Sequence, residues 1–185
     1  RFTLETKDES SEAGTRIFIE GGRLKEVSEV GAPRGALITV RQLFFNTPAR
    51  RKFLKSVNTE MGHISDTIAN MALGWPGVQF TLRHNGKLVK TWPSATDPFK
   101  RVIDVLGTDL RHELIPLSFP ENTAQDEISV SGWIASSRIT RATSRWIYIY
   151  VNGRFVRDRI IQHALSECYA GRLMKGQFPV AVLFI

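Results

Sequence analysis

The fold is decided by the stretch Trp146-Ile147-Tyr148-Ile149-Tyr150-Val151-Asn152-Gly153-Arg154-Phe155-Val156-Arg157-Asp158. Its first six residues form a short, dense apolar run that predicts a β-strand. Asn152 and Gly153 predict a tight two-residue turn, because both residue types tolerate positive φ. The stretch therefore predicts a rigid hairpin that presents Arg154 and Arg157.

Helical and strand patterns alternate around this hairpin. A helix is predicted over 159–173 and a last strand over 180–185, whereas 99–106 predicts a short helix and 114–119 and 128–135 predict strands. The apolar side chains expected to face inward from the helix after the hairpin are Ile160, Ile161, Ala164, Leu165, Cys168 and Tyr169. Strands with helices between them indicate an α+β fold.

The first half of the chain shows a similar mixture. Strands are predicted at 16–20 and 23–30, joined by a Gly21-Gly22 turn, and at 36–43. A helix is predicted from 58 to 74, because apolar residues recur there at three- and four-residue spacing. These are Met61, Ile64, Ile68, Met71 and Ala72. Asn85-Gly86 predicts another hairpin, and the turn formers of 93–98 predict a linker, which divides the chain into domains 1–96 and 97–185.

A basic motif precedes the long helix, in the run Leu43-Phe44-Phe45-Asn46-Thr47-Pro48-Ala49-Arg50-Arg51-Lys52-Phe53-Leu54-Lys55. Thr47 is expected to cap a short helix and Pro48 to occupy its first position. Phe53 and Leu54 are expected to pin that helix to a core. The four cations from Arg50 to Lys55 can bind phosphates, but a solvated basic helix accounts for the pattern equally well.

A second basic concentration surrounds the hairpin. Residues 138–159 contain six arginines against one acid, Asp158, in a chain of formal net charge +7. An edge hairpin kept soluble by charge is one explanation. Contact with DNA is the explanation we prefer, because the arginine fork suits phosphate whereas lysine would serve solubility as well.

Other residue types narrow the possible functions. Cys168 is the single cysteine, so no internal disulfide forms, and its helical context predicts a core thiol in a reducing cytoplasm. The four histidines lack partners at metal-ligand spacing, which argues against zinc. No apolar run approaches the roughly 20 residues of a membrane span. Both ends fall within strand-like runs, which predicts a piece of a longer chain.

The basic motif and the hairpin closely resemble two stretches of the MutL-type DNA mismatch repair family, "LFxNTPARxKFL" and "VNxRxVxD". Gly132-Trp133-Ile134-Ala135 is similar to the family's "GWxA" strand, and Asn85-Gly86-Lys87 to its "hNGk" turn. The resemblance runs from about Gly35 to Ile185. It implies that 1–96 is the end of a GHKL-type ATPase domain, a mixed sheet with helices. Residues 97–185 would then be a transducer domain, incomplete at its C-terminal end, with a left-handed βαβ module resembling a ribosomal protein second domain.

The same resemblance implies ATP and Mg²⁺ as cofactors of the longer parent protein and none in this fragment, which is expected to lack ATPase activity. The family's nucleotide-binding and catalytic motifs lie outside the chain. Only Gly35 and Ala36 correspond to a nucleotide-adjacent turn, and Ala36 stands where the family usually has a threonine hydroxyl.

For DNA, the resemblance implies a positively charged groove between protomers that contacts phosphates without sequence choice. Lys52 and Arg154 are the first candidates for this groove, and the neighbouring candidates are Arg51, Arg157, Arg141 and Arg145. The implied partners are single- and double-stranded DNA, a second copy or a paralogue as dimer partner, and a mismatch-recognition protein of the MutS type, but no membrane. The implied location is the bacterial cytoplasm, with the nucleoid, or a eukaryotic nucleus.

The implied function is ATP-coupled, non-specific DNA binding that relays mismatch recognition to later repair factors. Two alternatives stay open. One is a transducer fragment of another GHKL ATPase, such as a type II topoisomerase subunit. The other is an interaction scaffold that has lost ATPase function, for which Ala36 is the only indication.

Overall fold

A computed structural model describes residues 1–119 and 128–185. The chain divides into two compact units, Arg1–Glu60 and Met61–Ile185. The predicted boundary between residues 96 and 97 falls inside the second unit. The assignment of residues 1–96 to an ATPase domain and of residues 97–185 to a transducer domain stays a prediction.

The first unit is built on a four-stranded antiparallel sheet in the order β3-β2-β1-β4. Its strands are β1 (Phe2–Lys7), β2 (Gly14–Glu20), β3 (Arg23–Val30) and β4 (Gly35–Val40). Gly21 and Gly22 adopt φ of 57° and 83°, which confirms the predicted turn. Strand β4 ends three residues before the predicted end, because Gln42 and Phe44 adopt positive φ in the turn that follows.

Helix α1 (Pro48–Arg51) follows this turn and is a single turn long. Pro48 begins it as predicted, but Thr47 makes no side-chain capping hydrogen bond, so that part of the prediction is wrong. Phe53 and Leu54 are 77% and 44% exposed, so the expected anchoring to a core is also wrong. The helix ends before these two residues reach a packing surface, and their side chains face solvent instead.

The elements after α1 are α2 (Val57–Gly74), β5 (Phe80–His84), β6 (Lys87–Trp92), α3 (Pro98–Leu106), β7 (Leu114–Ser118), β8 (Ser131–Ala135), β9 (Ile147–Val151), β10 (Arg154–Val156), α4 (Arg159–Cys168) and β11 (Ala181–Phe184). Strands β5 and β6 form a hairpin whose turn residues, Asn85 and Gly86, adopt φ of 50° and 76°. No described helix is long and apolar enough to cross a membrane.

A five-stranded sheet in the order β10-β9-β11-β8-β7 forms the centre of the second unit. Strands β9 and β11 are parallel neighbours and the other pairs are antiparallel. The chain from β9 to β11 passes through α4, so the structure confirms the α+β class and the βαβ connection.

The dense apolar run of β9 is explained by burial on both of its faces. Ile147 and Ile149 pack with Leu165 of α4 in one core cluster, whereas Tyr150 packs with Val102 of α3 in another. A strand covered on both sides has no solvent face and therefore lacks the usual polar alternation.

Helix α4 buries a narrower face than expected. Ile161, Leu165 and Tyr169 face the sheet as predicted. Ile160 is 80% exposed, and Ala164 and Cys168 are exposed as well, so the predicted core thiol is wrong. Positions four apart lie on one face of a helix. The apolar residues of α4 therefore form two adjacent stripes, and the sheet covers only one of them.

The buried face of α2 is also displaced from the predicted one. Ala72 and Leu73 are buried, and Met61, Ile68 and Ala69 are partly buried. The other two predicted core residues, Ile64 and Met71, are 45% and 52% exposed.

Candidate nucleic-acid interface

The predicted phosphate ligands are divided between the two units. Arg51 and Lys52 end α1 in the first unit, and both are exposed. Arg141, Arg145, Arg154 and Arg157 belong to the second unit. Within the described part of the chain, no carboxylate forms an ion pair with any of these six cations. Their charge is therefore available to an anion from outside the chain.

The hairpin holds Arg154 on a rigid support. Asn152 and Gly153 adopt φ of 49° and 75°, and Arg154 pairs with Val151 as the first residue of β10. Strand β10 lies at the edge of the sheet, and Arg154 is exposed. Phe155, next along the strand, faces the opposite side, because successive side chains of a strand alternate.

Asp158 is the one acid among the six arginines, and in the structure its carboxylate caps a helix. Its Oδ1 atom accepts hydrogen bonds from the backbone N–H groups of Ile160 and Ile161, at 2.9 and 3.0 Å. It is the N-cap of α4, a role for which aspartate is among the preferred residues. Its position just before a helical pattern was the sequence signal for this role.

Arg141 is held by contacts of both its backbone and its side chain. Its backbone exchanges hydrogen bonds of 2.9 and 2.8 Å with Phe178. Its guanidinium lies 4.7 Å from the centre of the Trp146 ring, within the range of cation–π attraction. Arg141 therefore also has a structural role, which the sequence did not indicate.

Arg145 and Arg157 are brought together at one cleft of about 380 Å³, here called the hairpin cleft. Helix α2, strand β6 and the β9–β10 hairpin contribute its walls. Its charged lining residues are Asp66, Lys90, Arg145 and Arg157, and its aromatic ones are Trp92, Trp146, Tyr148 and Phe155. The cleft thus holds three cations and one carboxylate. Sequence reasoning missed Asp66 and Lys90, which lie far from the hairpin in the sequence.

The tyrosine of this cleft is held in its neutral form. Burial raises the pKa of the Tyr148 hydroxyl to about 12, and the negative charge of Asp66 adds to the shift. Tyr148 therefore keeps its proton at neutral pH and can donate a hydrogen bond.

A second, smaller cleft of about 360 Å³ continues along α2. It shares Asn70, Phe155 and Arg157 with the hairpin cleft. Trp75, which is 61% exposed, lines its outer part. The shared residues make the two clefts neighbours on one surface of the second unit.

The two nucleotide-adjacent residues lie in the first unit. Gly35 and Ala36 begin β4, where they pair with Lys7 and Thr6, and both are exposed. Ala36 offers an incoming nucleotide only backbone groups. Residues 1–119 and 128–185 contain no group of three or more His, Cys, Asp and Glu side chains that could hold a metal ion. Gly35 and Ala36 supply neither a carboxylate nor a cation, so by themselves they do not form a Mg²⁺–ATP site.

Comparison with known proteins identifies the family. Residues 102–185 match the family model described as "DNA mismatch repair protein, C-terminal domain". Over its whole length the chain is 42% identical to the DNA mismatch repair protein MutL of Geotalea daltonii and 43% identical to that of Anaeromyxobacter dehalogenans. The chain spans 30% of the length of each of these relatives.

Solved structures agree with this assignment. The Aquifex aeolicus MutL ATPase domain complexed with ADP matches the whole chain with a TM-score of 0.75 at 25% identity, and the chain covers 66% of it. The N-terminal domain of a DNA repair protein shares the fold, with a TM-score of 0.79 at 20% identity over 60% of its length. The chain belongs to the MutL-type family of DNA mismatch repair proteins.

Proposed function

We propose that this chain is the part of a MutL-type protein that contacts the DNA phosphate backbone without sequence preference. The binding is coupled to the ATP state of the longer protein and relays mismatch recognition to later repair factors. Lys52 and Arg154 are the principal ligands, and Arg51, Arg141, Arg145 and Arg157 add to them. Phosphate contacts position a protein on DNA but do not read its sequence, as a protein acting at any mismatch requires.

One observation carries this proposal. The six candidate cations form no ion pair with the described carboxylates, and Asp158, the single acid of residues 138–159, caps a helix. A basic surface kept for solubility would work equally well with its charges paired. Unpaired arginines on a rigid edge hairpin suit phosphate, because guanidinium groups bind phosphate oxygens bidentately.

Cofactors and partners belong to the same proposal. ATP and Mg²⁺ would bind the longer protein through residues outside this chain, because Gly35 and Ala36 alone do not form that site. A second copy or a paralogue would complete the DNA groove, and a MutS-type protein would deliver the mismatch signal. The cytoplasm, or a nucleus in a eukaryote, would be the location.

The test is fluorescence anisotropy of labelled single- and double-stranded oligonucleotides, titrated with the chain at several salt concentrations. We expect weak binding whose affinity falls as salt is added. In a plot of the logarithm of the binding constant against the logarithm of salt concentration, each phosphate contact should make the slope more negative by about 0.7 for single strands and by about 0.9 for duplex. Arg154→Glu and Lys52→Glu should weaken binding and flatten that slope.

Matched controls separate a site from net charge. Lys25→Glu and Arg111→Glu make the same charge change at exposed positions outside the candidate set. They should leave most of the binding intact. Equal losses in all four variants, or a complete lack of binding at low salt, would contradict the proposed site.

A further inference from the structure

The hairpin cleft contains more than phosphate binding requires. Contact with a DNA backbone needs cations on an open surface, whereas this cleft is walled by four aromatic side chains. Its volume of about 380 Å³ falls in the ~300–1,000 Å³ range of small-ligand pockets. A space of this size accommodates a nucleotide but not a duplex.

The aromatic walls are already arranged with cations. Arg157 lies 5.9 Å from the centre of the Phe155 ring, and Lys90 lies 5.0 Å from that of Trp92. On the third wall, Trp146 has Arg141 at 4.7 Å. Flat aromatic faces beside arginines form the combination on which unpaired bases stack while their phosphates are neutralised.

The cleft also contains hydrogen-bonding groups suited to the edge of a base. Asn70 and Gln162 contribute side-chain amides, and Asp66 contributes an acceptor.

We propose that the hairpin cleft binds an unpaired nucleobase of a DNA strand. The base stacks on the aromatic walls, and Arg145 and Arg157 bind its flanking phosphates. This inference rests on the proposed DNA binding and adds to it a base-dependent contact, which phosphate ligands alone do not provide. A base inside a duplex cannot enter, because it would first have to leave its stack. Single-stranded or displaced bases are therefore the expected occupants.

The test compares two labelled strands of equal length on the unaltered chain, an oligothymidylate and an abasic strand with the same number of phosphates. One stacked base contributes about 1–3 kcal/mol, so the strand with bases should bind roughly tenfold more tightly. Its binding should also quench tryptophan fluorescence, since Trp146 lines the cleft and is only partly buried.

Variants locate the effect. Phe155→Leu and Gln162→Ala should reduce the preference for the strand with bases and leave the affinity for the abasic strand unchanged. Trp146→Phe should remove much of the quenching. Phe53→Leu is the matched control, because Phe53 is exposed in the first unit and lines neither cleft. It should change nothing.

The two proposals fail in distinguishable ways. Equal affinity for both strands, with binding still weakened by Arg154→Glu, would overturn the base site and leave phosphate binding in place. Binding that is unchanged by Arg154→Glu and Lys52→Glu but still prefers bases would overturn the phosphate proposal alone. A chain that binds neither strand at low salt would overturn both.

Discussion

The hydroxyl of Tyr150 donates a 2.6 Å hydrogen bond to the backbone carbonyl oxygen of Asn70, eighty residues earlier in the chain. The same ring stacks on Phe184 with 5.0 Å between centroids. The hydrogen bond fastens strand β9 to helix α2, and the stacking joins β9 to β11. They also fix one wall of the hairpin cleft, because Asn70 lines it.

Replacing Tyr150 by phenylalanine should remove this hydrogen bond and keep the stacking. We expect the free energy of unfolding to fall by about 1–2 kcal/mol, because the Asn70 carbonyl loses its partner. Tyr150→Leu should cost more, since the ring contact is lost too. Urea denaturation followed by circular dichroism measures both. Equal stability of Tyr150→Phe and the original chain would mean that water replaces the hydroxyl at no cost.

Gly132 should tolerate no side chain. Its φ is 136°, and an added Cβ would lie 2.0 Å from the carbonyl oxygen of Val182 on the neighbouring strand. Gly132→Ala should therefore abolish cooperative folding or lower stability by more than about 3 kcal/mol. Gly62→Ala is the control: this glycine lies in α2 with open space around it, and alanine there should stabilise by roughly 0.5–1 kcal/mol. Similar stabilities for the two variants, measured by thermal denaturation, would be inconsistent with this geometry.

Arg101 is fully buried, and its side chain joins several segments of the chain through hydrogen bonds. Its two terminal nitrogens donate to five backbone carbonyls, those of Ala72, Trp75, Pro76, Val78 and Pro93. Burial lowers the pKa of its guanidinium, and Asp104 counteracts the shift.

Arg101→Lys should be nearly as harmful as Arg101→Met, because an ammonium group cannot reproduce the planar fork. We expect each to lower stability by about 3–5 kcal/mol, the range for breaking a buried charged network. The exposed Arg111→Met should stay within about 0.5 kcal/mol of the original chain. Chemical denaturation measures these changes. An Arg101→Lys variant as stable as the original chain would show that the five carbonyls do not require the planar guanidinium group.

Alkaline pH should destabilise the second unit. Burial is the main cause that raises the pKa values of Tyr148, Tyr150 and Tyr169, the three tyrosines of the chain. The folded state then keeps protons that the unfolded state loses near pH 10. The contribution of these tyrosines to stability is therefore constant below about pH 10 and falls above it, for Tyr148 by up to about 1.4 kcal/mol per pH unit until about pH 12.

Denaturation midpoints at pH 9, 10 and 11, together with tyrosinate absorbance, measure this effect. Tyr148→Phe should make the loss of stability between pH 10 and pH 11 smaller, because one of the three titrating hydroxyls is removed. Tyrosinate forming near pH 10 in the still folded chain would contradict the burial of these hydroxyls.

Turns and strands were predictable where local chemistry dominates. The turns at Gly21-Gly22, Asn85-Gly86 and Asn152-Gly153 appear as predicted, because positive φ is a property of the residues themselves. The dense apolar run of β9 was also predictable as a strand, because its β-branched and aromatic residues favour strands. Its burial on both faces was not, because the run alone does not show what covers it.

Helix faces were predicted less well. Ile160, Ala164 and Cys168 were expected in the core and are exposed, and the same holds for Ile64 and Met71. An apolar pattern wider than one stripe does not specify which stripe meets the sheet. That choice depends on the direction from which the sheet approaches.

The candidate site was likewise predictable in part from the sequence. Its cations and their excess over acids were predictable from composition and order. The capping role of Asp158 depended on where α4 begins, and the contribution of Asp66 and Lys90 on packing between distant elements.

The sequence by itself determined the α+β class, the family, the hairpin and the basic residues that it presents. These follow from local conformational preferences and from motifs read within a few residues of each other. Only the tertiary structure decided which side chains share a cleft, that Arg101 is buried among carbonyls, and which stripe of each helix is covered. Such relationships join residues as far apart in the sequence as Asp66 and Gln162, and they are set by packing, which no local pattern specifies.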